Sequence, residues 1–557
     1  MRIKEETRGR AQANTQTCKT LLNCYIREFT AENGRNHIEI NVEDLTFAIS
    51  FPHSGAALTG KLRYYSVSGE HEYEQLLTED QEELQFKRLL QWMITELKSC
   101  NPSISQELVR DFVEKVENSC DKIELYWTQS ARHSVVDYLS SEQSLIYGHP
   151  FHPYAKNTAG FTAAETTKYS PELHASFQLC YMAIHRDVFH QEWIDDSRQV
   201  EWPETVEEHA RQLLGEKRET YRLLPVHPWQ YEHVLTIHAI KEFIRDKRII
   251  LLGSCGPLAY PTSSVRTVYI PEMSYNIKLP LNIQITNLRR TNSTEQMRRT
   301  MDAARYLYGR GCFANDPNTR IAYEEGVEGC CFEGENVAKM LTVAYRRVDY
   351  DAASTFVMSS LIEAPIPGEP CRLLSLIDQR IPITHWFEQY LKISLLPLVR
   401  AAQEHGIHFE AHLQNTLLTL KNGLPDTFIL RDLEGVSVNR DIAADAAGAS
   451  PLFYEKEQCW ARTDYYFMVN HLGSLIHAIA RDSGMDELAL WRIVRNLLEK
   501  ENEANLNEYI QHLLTVDTFL AKKNMISCLH GQSETPSYAP VVNVIKKVGR
   551  LTSGTTD

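Results

Sequence analysis

The chain has 557 residues, 43% hydrophobic and 24% charged. This is close to the usual globular mix and excludes a disordered or collagen-like protein. Its 58 Lys and Arg against 73 Asp and Glu give a net charge of −15, which excludes a nucleic-acid binder that works by a general basic excess. Any anionic ligand must therefore be held by a focused cationic site against the overall field.

The first sixteen residues carry no apolar signal core. Nowhere do 18 apolar residues run together, so no membrane contact is expected and the expected compartment is the cytoplasm. The twelve cysteines form no C-x-x-C pair, and free thiols in a reducing compartment are expected rather than a zinc site or disulfide framework.

Length alone suggests about three to four domains, and the texture of the chain divides into three parts. Residues 1–145 read as helical. Residues 73–99 are taken as one helical stretch. In 104–119, Leu108, Phe112 and Val116 recur every four residues beside Val109 and Val113, which makes one apolar helix face. Ser103 and Gln106, just after Asn101-Pro102, have the spacing of a capping box. From 146 to 350 Pro and Gly become frequent, and 248–254, 264–270 and 276–285 read as strands. Across 276–285, Asn276, Lys278, Pro280, Asn282 and Gln284 would share a wetted face that lines a cleft. From 351 to 557 helices return at 385–405 and 465–482, with a hairpin of 408–420 and 427–435 between them. The small-residue-rich stretch 436–456 reads as a loop. The class is α+β in three parts.

Four constellations carry chemistry. Gly148-His149-Pro150-Phe151-His152-Pro153-Tyr154-Ala155-Lys156-Asn157-Thr158-Ala159-Gly160-Phe161 is a proline-stiffened loop. It can aim two imidazoles and an ammonium at an anion, and a structural turn accounts for it equally well. Leu224-Pro225-Val226-His227-Pro228-Trp229-Gln230 reads better as a packed turn. Thr262-Ser263-Ser264-Val265-Arg266-Thr267, followed by Lys278 and Arg289-Arg290, offers hydroxyls and cations to phosphate oxygens. It leads into a helix start at Ser293 to Gln296. An ordinary hairpin with surface charges is its alternative. In His408-Phe409-Glu410-Ala411-His412-Leu413-Gln414-Asn415 a strand would put His408, Glu410, His412 and Gln414 on one face. Read as a helix, the two histidines have zinc spacing, but the glutamate is misplaced for that chemistry. Asn415 and Asp432, at the ends of adjacent strands with Glu410 nearby, are hard oxygen donors suited to Mg²⁺ and phosphate. No P-loop, dinucleotide fingerprint or G-x-S-x-G elbow occurs.

Taken in order, GHPFHPYAKNTAGF, LLPVHPWQ, SSVRT with Lys278 and Arg290, HFEAHLQNTLL and LRDLEG make the chain resemble the IucA/IucC-type NRPS-independent siderophore synthetases. NHLGSLI near 470 fits as well. The resemblance implies a cupped hand with a thumb at 1–145, β-rich fingers at 146–350 and a palm at 351–557. It implies adenylation of citrate or a citrate derivative by MgATP, then displacement of AMP by an amine or hydroxyl nucleophile. Carried over by position, ATP would be held by Ser264, Arg266, Thr267, Lys278, Arg290, Glu410, His412, Gln414, Asn415 and Asp432. The metal would be held by Glu410, Asn415 and Asp432, and the acid by His149, His152 and Lys156. Arg266, Lys278, His412 and His152 would be the catalytic groups. Many members carry an arginine where this chain has Thr158, which implies an acid with one carboxyl already amidated. A homodimer is implied by family habit. The competing readings are a kinase-like phosphotransferase, for which the base aspartate and Gly-rich loop are missing, and a non-catalytic nucleotide-binding homologue.

Overall fold

The computed structural model describes residues 2–33, 37–130, 132–332, 334–443, 450–532 and 535–552. The N-terminal part is helical as expected, with α1 (Arg2–Asn33), α2 (Phe86–Cys100), α3 (Gln106–Ser130) and α4 (Tyr138–Glu142). It also holds an antiparallel sheet that the sequence reading omitted: β1 (Ile38–Asn41), β2 (Thr46–Phe51), β3 (Ala56–Tyr64) and β4 (Glu72–Thr78), paired in that order. The single helical stretch read across 73–99 is therefore corrected. Its first residues pair with β3, Gln81 turns the chain at positive φ, and the helix starts only at Phe86. In α3, Phe112 and Val116 are buried, as the four-residue spacing requires. The capping hydroxyl is that of Ser105, which accepts from Leu108 N at 3.2 Å, and not that of Ser103.

The middle part is built on an eight-stranded, wholly antiparallel sheet. Its order is Phe189–Trp193, Glu324–Cys330, Val343–Arg347, Tyr275–Lys278, Thr267–Ile270, Ile249–Pro261, Phe177–His185 and Tyr221–Val226. The single strand expected over 276–285 is two. Tyr275–Lys278 belongs to this sheet, and Leu281–Ile285 to a small sheet with Leu288–Arg290 and Thr158–Ala159. Pro280, which lacks a ladder donor, sits between them. The wetted face is therefore lost as a continuous row, and Asn276 and Lys278 are both buried. Ser293 caps the helix Thr294–Arg310 in a full capping box with Gln296.

In the C-terminal part, helices Ile383–His405 and Gly473–Ser483 confirm two helical readings. The expected hairpin is Thr416–Lys421 against Leu424–Leu430. Its first strand is shorter than expected, because only Ile407–His408 of the preceding segment is strand and 409–415 is loop. The period-two face is therefore not formed, and His408 is buried with Nδ1 2.9 Å from Thr463 Oγ1. Strands Ser437–Asn439 and Phe453–Tyr454 interrupt the stretch expected to be loop, while 444–449 lie outside the described residues.

The N-terminal hydrophobic core draws in Met525, Ile526, Cys528 and Leu529 from the far end of the chain. There Glu28 accepts Met525 N at 3.0 Å and Ile526 N at 2.8 Å, at the start of helix Asn524–Leu529. No disulfide joins any of the twelve cysteines, and no helix of the described residues is long and apolar enough to cross a membrane.

Candidate active site

A cavity of about 790 Å³ opens where the three parts meet. Its cationic end begins at the turn 262–266, which joins strands Ile249–Pro261 and Thr267–Ile270. Thr262 closes the turn, its N–H and Oγ1 both donating to Thr267 O at 2.8 and 2.9 Å. Val265 takes a φ of +66°. That conformation is strained for a β-branched residue, and surrounding bonds must hold it.

They do so through Glu142, which is fully buried. Ser263 N and Oγ donate to its Oε2 at 3.1 and 2.7 Å. Its Oε1 pairs with Arg431, whose Nε and Nη2 donate to Gln414 O at 3.1 and 2.7 Å. One carboxylate thus ties the turn to the 409–415 loop. Burial raises the Glu142 carboxyl, but Arg431 and Ser263 outweigh it and hold the group below its ordinary value.

Behind the turn, Arg266 donates to Asn292 Oδ1, and Asn292 donates in turn to Lys278 O at 3.1 Å. Lys278 Nζ reaches Asp432 at 2.9 Å and Glu434 at 3.3 Å. Burial pushes the Asp432 carboxyl up, but Lys278, Arg346 and Arg266 overcome it and keep the group well below the usual carboxylate range. Arg290 donates to Thr286 Oγ1 at 3.1 Å, while its Nε has no partner among the described residues. Burial, then Arg266, lowers its guanidinium to about 10. Arg266, Lys278 and Arg290 therefore gather several positive charges around an anion-sized space.

The first motif faces the same space. His149 and His152 each accept at Nδ1 the backbone N–H two residues on, from Phe151 at 3.1 Å and Tyr154 at 3.3 Å. The proton therefore sits on Nε2, and that of His152 has no partner among the described residues. Burial lowers both rings to about 3, so both are neutral donors at pH 7. His227 repeats this geometry, accepting Trp229 N at 3.1 Å. It packs between Tyr169 and Phe177 off the cavity, which is the packed turn expected for it. Lys156 lines the cavity with its charge already matched: Nζ bonds Glu172 Oε1 at 2.7 Å and Leu145 O at 2.5 Å. Thr158 lines the cavity too.

Ser264, Thr267, His412, Gln414, Asn415 and Asp432 all line this cavity. Burial lowers His412 to about 4, which keeps it neutral. Glu410 does not line it. Its carboxylate lies 3.3 Å from Arg462, against Gly435, where a Cβ would fall 2.2 Å from Glu410 Cδ. Of the three oxygen donors foreseen for a metal, two therefore reach the cavity. Among the described residues no group of three or more His, Cys, Asp or Glu is placed to hold an ion. One carboxylate and one amide oxygen fit Mg²⁺ that draws its remaining ligands from phosphates and water.

Several lining residues were missed in the sequence. Arg346, paired with Glu324, stands beside Asp432. Arg431, next to Asp432 in the chain, pairs with Glu142. Lys522, whose Nζ donates to Tyr466 OH at 2.6 Å, comes from strand Thr518–Lys522, which carries no motif. The far end of the cavity is of mixed charge, with Lys19, Arg63 and Arg481 near Glu70, Glu72 and Asp482. Lys19 meets Glu72 at 2.5 Å, and Arg481 meets Glu72 at 3.1 Å and Asp482 at 2.6 Å.

Residues 137–362 match the IucA / IucC family, and residues 384–537 match the family described as ferric iron reductase FhuF-like transporter. The chain is 33% identical over 529 residues to the L-2,3-diaminopropanoate–citrate ligase of Staphylococcus aureus, covering 88% of this chain and 89% of that one. It is 28% identical to the rhizobactin siderophore biosynthesis protein RhbC of Rhizobium meliloti, covering 92% and 93%. Its fold is that of the ATP-bound aerobactin synthetase IucA of Klebsiella pneumoniae, with a TM-score of 0.83, 24% identity, and 95% of this chain and 99% of that chain covered.

Proposed function

The chain belongs to the IucA/IucC family of siderophore synthetases, and from that premise we propose that it is an ATP-dependent ligase. It joins a carboxylate of citrate or a citrate derivative to an amine and releases AMP and pyrophosphate. The thumb, fingers and palm are the parts 1–145, 146–350 and 351–557. The observation that carries this reading is the cationic end of the cavity, where Arg290 Nε and His152 Nε2 are buried donors left without partners. Such donors call for an anion.

Ser264, Arg266, Thr267, Lys278, Arg290 and His412 hold the nucleotide phosphates. A carboxylate that attacks the α-phosphate brings two anions together, and these cations offset the repulsion without having to reorganise. Mg²⁺, when bound, neutralises phosphate charge, and Asp432 and Asn415 are the residues that would hold it. The acid lies between the phosphates and Lys522, where His149 and His152 donate through Nε2. Lys156 holds its loop through Glu172 and does not meet the acid directly, which revises the role foreseen for it. The nucleophile enters from the mixed-charge end. Cations and carboxylates side by side suit a zwitterionic diamino acid, the amine class named for the staphylococcal relative.

The test is nucleotide product analysis. The protein is incubated with MgATP and citrate, citryl monoamides or 2-oxoglutarate, each with diamino acids, polyamines or hydroxylamine. AMP and pyrophosphate that require both acid and amine establish the ligase. ADP would establish a phosphotransferase instead, and tight nucleotide binding with no turnover across the panel would overturn the catalytic reading.

A further inference from the structure

The NHLGSLI segment borders the cavity through Asn470 and Ser474. Its first residues complete a π-helix, Asp464–Leu472, that runs on into helix Gly473–Ser483. Extended π turns are rare and concentrate at functional sites. Here the wider turn sends Tyr465, Tyr466 and Asn470 to the cavity, while His471 is fully buried beneath the 409–415 loop.

His471 Nδ1 lies 2.9 Å from Ala411 O and 3.4 Å from Thr416 Oγ1. A carbonyl oxygen only accepts, so Nδ1 carries the proton. Nε2 is then a lone pair, and the Tyr390 hydroxyl, in contact with it, donates. Tyr390 is itself fully buried and stacks on Trp386 at 5.6 Å with the rings 3° apart. A chain of fixed groups therefore runs from the core through Tyr390 and His471 to Ala411, the residue before His412. Thr416 Oγ1 donates to His412 O at 3.2 Å, so the same imidazole touches both ends of the loop. Beyond His412 the loop is held by other bonds, from Ser359 N to Leu413 O at 3.1 Å and from Arg431 to Gln414 O.

We propose that His471, fixed in one tautomer by the Ala411 carbonyl and seated by the Tyr390 hydroxyl, is the positioning residue that sets the His412 imidazole against the nucleotide phosphates. It touches neither substrate nor phosphate. It acts through the Ala411 carbonyl and the Thr416 hydroxyl. The proposal rests on the reading that His412 meets the nucleotide.

The two amide replacements separate the two ring nitrogens. Asparagine places its amide near Nδ1 and keeps a donor for Ala411 O, whereas glutamine reaches the Nε2 position and loses it. Acid-dependent ATP–pyrophosphate exchange is measured on His471→Asn, His471→Gln and Tyr390→Phe, with melting temperature as the check on folding. His471→Gln is expected to lower kcat about 10–100-fold with KM for ATP within about 3-fold, as for a catalytic group displaced by ~1 Å. Tyr390→Phe keeps the proton on Nδ1 but removes the hydroxyl that seats Nε2, and is expected to lower kcat about 10-fold by letting the ring shift. His471→Asn is expected to recover most of the rate. A crystal structure of His471→Gln is expected to show the Ala411–His412 backbone displaced. Equal rates for the asparagine and glutamine variants, or lower melting temperatures with kcat intact, would overturn the proposal. If the wild type exchanges and His412→Ala does not, while His471→Gln exchanges normally, only this inference fails. If the wild type shows no exchange, the functional reading fails and takes this inference with it.

Discussion

Replacing Glu142 by glutamine probes the connection between the two halves of the cationic site. Glutamine keeps the shape and one acceptor for Ser263, so no cavity is made. What is lost is the charge facing Arg431, whose side chain is 6% exposed and cannot recover water. Leaving one partner of a buried pair uncompensated costs about 3–5 kcal/mol. Urea titration followed by tryptophan fluorescence is expected to show a loss of that size. The double variant Glu142→Gln/Arg431→Met removes both charges and is expected to regain much of it, so the double-mutant cycle yields a coupling energy of about 2–3 kcal/mol. The effect has a pH signature. The folded Glu142 carboxyl lies below its ordinary value, so its stabilisation is complete above the unfolded carboxyl pKa of about 4.3. It is lost as pH falls through the folded value, and the gap between wild type and Glu142→Gln closes in acid. A Glu142→Gln loss under about 1 kcal/mol, or strict additivity with Arg431→Met, would refute the account.

Lys278→Ala removes the ammonium at Asp432 and is expected to slow adenylation by about 10²–10³-fold, measured as pyrophosphate exchange. Arg266→Ala is expected to abolish the same signal in a protein whose far-ultraviolet circular dichroism is unchanged. Chelation with EDTA is expected to stop turnover and added Mg²⁺ to restore it, with Asp432→Ala shifting the Mg²⁺ requirement upward. His149, His152, His227, His408 and His471 are lowered to about 3 by burial. The unfolded chain therefore binds their protons from about pH 6.5 downward while the native state does not. Stability is expected to be full above that pH and to fall as pH drops from it toward 3, which urea titrations between pH 7.5 and 4.5 measure.

Much of this arrangement was legible in the sequence because chemistry-bearing loops announce themselves by residues that neither helix nor strand favours. Pro150, His149 and His152 of the 148–161 loop, the hydroxyls around Arg266 and the Asn415 and Asp432 pair all reach one cavity. The N-terminal sheet was also legible and was overlooked. Thr46–Phe51 alternates Phe47, Ile49 and Phe51 inward with polar or small residues outward, the period-two pattern of a half-buried strand. What could not be read was pairing over distance. Nothing local marks Glu142 as the partner of Arg431, 289 positions away, or Lys522 as the partner of Tyr466. Lys156 shows the converse: a residue inside a strong motif turns out to be held by Glu172, a carboxylate outside it.

The capping of helix Asn524–Leu529 by Glu28 joins positions 498 apart. A ribosome adding about 5–20 residues per second needs roughly 25–100 s to cover that separation. Until then the apolar residues of α1 that pack against Met525, Ile526, Cys528 and Leu529 have no complete counterpart. The eight-stranded sheet closes earlier, because its strands lie between Phe177 and Arg347. Most of the N-terminal core lies between Ala13 and Tyr154 and can assemble early. Only the patch of it that meets Met525 to Leu529 waits for its last contacts, and in that interval a chaperone that shields apolar helix faces would have that patch to protect.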